Sequence, residues 1–142
     1  MRLILTCLTL SLATPTLAHE GVKNPAVAAR MHVMKEAGGA FKTLRQMNSG
    51  RVAFDAAQAQ AALAALVQAS AQTPDLFRAP ETDPKSEAKP IIWEQFADFE
   101  AKSAALGTAA QGSVATLADL QAILPRVGGT CGACHDVYRV KK

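Results

Sequence analysis

The sequence predicts an all-α protein folded as an antiparallel four-helix bundle. Three observations carry that prediction. Alanine is abundant and β-branched residues are few, which favours helix. No segment alternates apolar and polar residues as a half-buried strand would. Apolar residues instead recur at helical spacing in four separate segments, joined by turns rich in glycine, asparagine or proline. A chain of 142 residues is enough for one domain and too short for two ordinary ones.

The first residues, MRLILTCLTLSLATPTLAHE, read as a secretory signal peptide. Arg2 precedes an apolar run over residues 3–12, Pro15 loosens the chain, and Thr16-Leu17-Ala18 offers small residues for a cut after Ala18. The run is shorter than the ~20 residues a membrane anchor needs. A lipoprotein site at Cys7 would leave almost no apolar region ahead of it. The expected organisation is therefore a cleaved leader over residues 1–18 and a bundle over 19–142, exported to the periplasm of a Gram-negative host. Of the three cysteines, only Cys131 and Cys134 stay in the mature chain, so no separate structural disulfide is expected. The net charge of +3 falls by one with Arg2, too weak and too mixed for nucleic acid binding. No apolar run in the mature chain is long enough for membrane insertion.

The first helix is predicted over residues 25–47. Pro25 suits a first helical position and Asn24 its cap. Val27, Met31, Met34, Phe41 and Leu44 fall on one stripe, with Gly38 completing the spacing. Asn48-Ser49-Gly50 ends the helix. The second helix is predicted from Asp55, a good cap, to residue 71, with Leu63, Leu66 and Val67 inward. A long connection, TPDLFRAPETDPKSEAKP, follows over residues 73–90. The third helix is predicted over 91–110, with Ile92, Phe96, Phe99 and Leu106 on one face. The fourth starts near Ser113. Its stripe of Leu117, Leu120, Leu124, Val127, Cys131, Cys134 and Tyr138 alternates spacings of three and four, a seam for packing on other helices. Pro125 and Gly128-Gly129 predict a kink, or a short break before the last turns. Short turns at Gly50 and Gly112 favour antiparallel neighbours.

The chemistry concentrates in the last residues, CGACHDVYRVKK. Both cysteines lie on the inward seam, and His135 is one helical turn from Cys131. A haem needs two thiols to add across its vinyl groups and an imidazole to reach its iron. Residues at i, i+3 and i+4 supply all three from one helical surface, and C-x-x-C-H is the attachment signature of c-type haem. Three other readings compete. A thioredoxin-like redox pair normally opens a helix after a strand, and no strand is predicted. Structural zinc needs four ligands, and the other mature histidines are only His19 and His32. An unused chance motif is at odds with an exported chain whose two cysteines both fall here.

A C-x-x-C-H near the C-terminus of a four-helix chain resembles the class II c-type cytochromes, cytochrome c′ and its low-spin relatives. VGGTCGACHDVYRVKK is very similar to cytochrome c′ C-termini, PIIWEQFADFEAK resembles the family's third helix, and Arg30-Met31-His32-Val33-Met34 matches its arginine followed four residues later by the distal residue. The resemblance covers essentially the whole mature chain. It implies one covalent haem c in a left-handed-twisted bundle, with Cys131 and Cys134 as thioethers and His135 as the proximal ligand. It also implies Arg30 near a haem propionate and Arg139 on the proximal side. Met34 stands at the family's distal position. If its thioether binds the iron, the protein is a low-spin one-electron carrier that meets redox partner proteins. If it only lines the pocket, the iron is five-coordinate and open to nitric oxide or carbon monoxide. Met31 is a second candidate one turn earlier. His32 lies about 200° around the helix from Met34 and should face away. No nucleophile–base pair points to an enzyme. The resemblance also admits a homodimer through the first two helices.

Overall fold

The computed structural model describes residues 21–141; the predicted signal peptide and its cut after Ala18 lie outside them. Five helices form among the described residues: α1 (Pro25–Asn48), α2 (Ala56–Phe77), a single-turn α3 (Ile91–Glu94), α4 (Phe96–Ala110) and α5 (Leu117–Tyr138). The four long ones build the predicted four-helix bundle. Consecutive long helices pack on each other, and α5 returns against α1, their contact being the thinnest of the four.

The caps explain where the helices begin. Asn24 accepts hydrogen bonds from the backbone N–H groups of Ala26 and Val27, and Pro25 fills the first turn, where its missing N–H costs nothing. Asp55 accepts from Gln58 N and opens α2. Gly50 takes the left-handed backbone, φ +70°, that the turn between them requires.

Three boundaries differ from prediction, each for a local reason. Helix α2 runs to Phe77 instead of residue 71, straight through Pro74. Pro74 has no N–H for the carbonyl of Ser70, but Ser103 of α4 supplies a donor with its hydroxyl at 2.8 Å. The predicted third helix is split at Gln95, whose ψ of 41° leaves the helical region. The split lets α3 turn Ile92 into the core and lets Trp93 donate its indole N–H to Phe77 O at 2.7 Å. Helix α5 begins at Leu117 rather than near Ser113, because Thr116 and Asp119 form a reciprocal capping box. No break interrupts α5 at Gly128-Gly129. Pro125 lies on its exposed side, where water can serve the carbonyl left free. Leu117, predicted to head the inward seam, is exposed.

The core has two parts. The larger packs Leu44 and Met47 of α1 with Leu63 and Leu66 of α2 and Leu120 and Val127 of α5. The smaller gathers Phe77, Ile92, Phe99 and Tyr138 at the opposite end, with Cys134 against it. Its aromatic rings touch in series: Phe77 lies 5.0 Å from Phe99, and Phe99 meets Tyr138 edge-on at 5.3 Å.

Candidate functional site

Beside the aromatic cluster a cavity of about 430 Å³ opens between α1 and α5. Helix α1 gives it Arg30, Met31, Met34 and Gly38. Helix α5 gives it Cys134, His135 and Tyr138. Phe77, Ile92 and Phe99 form the apolar floor, and residues 85–88 of the long connection, with Arg139, form a rim. Thus Met34 and His135, one from each helix, line the same space. Met31 lines it too, whereas His32 does not, as its position around α1 predicted. Cys131 is half-buried one turn before Cys134 and lies outside the lining.

The two thiols are free, not joined as a disulfide. Burial raises the pKa of both, so they are kept as protonated thiols. His135 is exposed, yet partial desolvation of its ring, and then the nearby Arg139 charge, lower its pKa. That favours the neutral imidazole, the form that can bind a metal. Among the described residues, no group of three His, Cys, Asp or Glu side chains comes together as a metal cage.

Arg30 is 2% exposed and fully engaged with main chain. Its Nε donates to Leu76 O at 2.8 Å, Nη1 to Glu81 O at 2.7 Å and Nη2 to Ala79 O at 2.6 Å. The guanidinium also lies over the rings of Phe77 and Trp93, at 4.7 and 5.5 Å from their centroids. It fastens α1 to the end of α2 and the start of the connection, and its burial lowers its pKa.

Arg139 forms an ion pair with Glu87, at 2.7 Å from Nε and 2.6 Å from Nη2. The backbones of the two segments pair as well: Lys89 N donates to Tyr138 O and Val140 N to Glu87 O, around an isolated antiparallel bridge between Ala88 and Arg139. The connection is thereby strapped over the end of α5. The pairing of this connection with α5 is not visible in its sequence; only its length signals a role, since a connection this long in a small bundle commonly serves a site.

An apolar cavity with an imidazole, two thioethers and a thiol on its walls suits a haem. Gly38 adds room, because a Cβ there would meet no atom within 4 Å. Known proteins agree. The family model for cytochrome c′ matches residues 25–139. Cytochrome c-556 of Agrobacterium tumefaciens (strain apple 185) is 38% identical over 118 residues, 80% of this chain and 94% of its own. The structure of cytochrome c′ from Rhodopseudomonas palustris superposes with a TM-score of 0.78 at 37% identity, covering 84% of this chain and 99% of that one. A nitric oxide complex of a mutant cytochrome c′ from Alcaligenes xylosoxidans matches with a TM-score of 0.67 at 32% identity, over 82% and 94% of the two chains. With the family model spanning nearly every described residue, the C-terminal C-x-x-C-H motif and the cavity beside it, this chain belongs to the cytochrome c′ family, whose cofactor is a covalently held haem c.

Proposed function

We propose that this protein is a periplasmic monohaem electron carrier in which His135 and Met34 hold the iron from opposite helices. The observation that carries this reading is the placing of Met34 and His135 on one cavity. When bound, the haem supplies a one-electron ferric–ferrous couple. Cys131 and Cys134 anchor it through thioether bonds and so fix where His135 meets the iron. His135 would bind as the neutral imidazole that partial desolvation and the Arg139 charge favour. Met34 gives a soft, neutral donor that favours the ferrous state and raises the reduction potential. Arg30 gives the cavity a buried positive charge near which a propionate would lie, and Arg139, paired with Glu87, stands on the proximal side. The apolar floor of Phe77, Ile92 and Phe99 excludes water. The protein does no further chemistry on a substrate.

A second reading is favoured by one observation. Met34 is 38% exposed, which leaves its side chain free to stay off the iron. The protein would then be a five-coordinate cytochrome c′ that binds nitric oxide or carbon monoxide, as a scavenger or buffer. Absorption spectra of the matured protein separate the two. Sharp ferrous bands, a far-red methionine–iron band in the oxidised form that disappears in Met34→Leu, and no rapid response to carbon monoxide support the carrier. Broad high-spin bands that shift at once with gas support the open iron. Should Met31→Leu rather than Met34→Leu abolish the far-red band, the ligand is the methionine one turn earlier.

A further inference from the structure

A second groove of about 810 Å³ continues from the haem cavity along the α1–α5 contact, and Gly38 lines both. One wall carries Lys42 and Arg45 of α1 and Arg51 of the turn after it. The other is uncharged: Gln121, Leu124, Pro125 and Gly128. No carboxylate lines the groove. All three cations are exposed, and none makes an ion pair among the described residues.

The sequence of α1 builds this arrangement. At about 100° per residue, Lys35, Lys42 and Arg45 fall within roughly 80° of one another, on the face that also carries Met31, Met34 and Gly38. Glu36, the one acid in α1, lies on the opposite face. A single helical face therefore holds the methionines at one end and unpaired cations at the other.

We infer that this groove is the docking surface for a redox partner protein that presents a cluster of carboxylates. The inference rests on the electron-carrier reading. Unpaired charge of one sign in a concave surface steers an oppositely charged protein toward it, and continuity through Gly38 brings that partner beside the haem. The groove is also lined by the half-buried Phe41 and the exposed Pro125, which supply the apolar contacts that a protein interface needs and a free small anion does not. A second copy of this chain would bring the same positive charge to the same groove, which disfavours it as the occupant.

The test uses the haem-loaded protein and an acidic plastocyanin as the probe. The groove variant is Lys42→Gln/Arg45→Gln/Arg51→Gln. A variant of equal charge change, Lys23→Gln/Arg78→Gln/Lys141→Gln, is the control. At low salt the groove variant should transfer electrons to plastocyanin at least about tenfold more slowly than wild type, and its rate should depend less steeply on ionic strength. The control should lose less than half its rate. Reduction by ascorbate should be unchanged in both. Equal losses in the two variants would mean that net charge alone matters, and no loss in the groove variant would leave the groove without a role; either result overturns the inference. Amide shifts on adding plastocyanin give a readout independent of electron transfer. Shifts confined to α1 and α5 around the groove support docking even if the haem proves too slow to be a carrier. Shifts spread over the surface, or none, sink it even if the haem cycles readily.

Discussion

Ser103 Oγ donates a hydrogen bond of 2.8 Å to the carbonyl of Ser70, the acceptor that Pro74 leaves without its helical donor. Both serines are buried. One hydroxyl thus lets α2 run through a proline to Phe77, which lines the cavity. Ser103→Ala leaves a buried carbonyl unsatisfied and should cost about 1–3 kcal/mol. Pro74→Ala restores the N–H, so the same Ser103→Ala change in that background should cost clearly less. Denaturant unfolding of the four proteins of this cycle measures the difference, and equal costs in both backgrounds would contradict the account.

Arg30 has two roles that can be separated. Its three hydrogen bonds to Leu76, Ala79 and Glu81 predict a fastener, whereas its place on the cavity predicts an electrostatic influence on the haem. Arg30→Met strands three acceptors at once and should lower stability by about 3 kcal/mol. Arg30→Lys keeps the charge but cannot reach three divergent carbonyls, so it should recover little of that stability. Hydrogen exchange should quicken in residues 78–90 of both variants. The reduction potential should change in Arg30→Met and be largely kept in Arg30→Lys. A potential shift with unaltered stability would show that the fastening is unimportant.

These relationships also mark how far the sequence could be read. The helix stripes, the caps at Asn24 and Asp55, and the C-x-x-C-H constellation are local patterns, and local patterns survive into the fold. The C-terminal end of α2 and the split at Gln95 were not legible, because they depend on distant partners: Ser103 for Ser70, and Phe77 O for Trp93. Arg30 was legible as a position but not as an interaction, since its acceptors lie 46 to 51 residues away along the chain. Thr116 and Asp119 were an exception. Their spacing is a capping signal, and a start near Ser113 overlooked it.

Gly107 of α4 faces Ser70 so closely that an added Cβ would lie 2.5 Å from the serine Oγ. Glycine to alanine inside a helix normally gains about 1 kcal/mol. Here the Ser70 hydroxyl, hydrogen-bonded to Val67 O at 2.8 Å, must move or the helices must part. Gly107→Ala should therefore be neutral to destabilising in wild type, yet stabilising by about 1 kcal/mol in Ser70→Ala. Gly39→Ala, exposed in α1 with no atom within 4 Å of the new Cβ, is the control and should stabilise in either background.

Tyr138, the chain's one tyrosine, titrates in a way that reports on the end of α5. Its hydroxyl donates to Asp98 Oδ2 at 2.6 Å, and Lys102 lies 3.6 Å from the same carboxylate oxygen. Burial first, then the hydrogen bond to Asp98, pushes the phenol up to about 12. A folded pKa above the ordinary value of about 10 means that the unfolded chain loses its proton first. The stabilisation is therefore complete below pH 10 and is lost as pH rises toward 12. Tyr138→Phe lacks the hydroxyl and should be less stable than wild type at pH 8, by about 1 kcal/mol. The gap should close as pH climbs through that window. NMR of isotopically labelled tyrosine gives the pKa directly, and denaturant unfolding between pH 8 and the alkaline limit gives the convergence. A tyrosine that titrates near 10 in the folded protein, or a gap that stays constant, would mean that the Asp98 contact does not hold the end of α5 in solution.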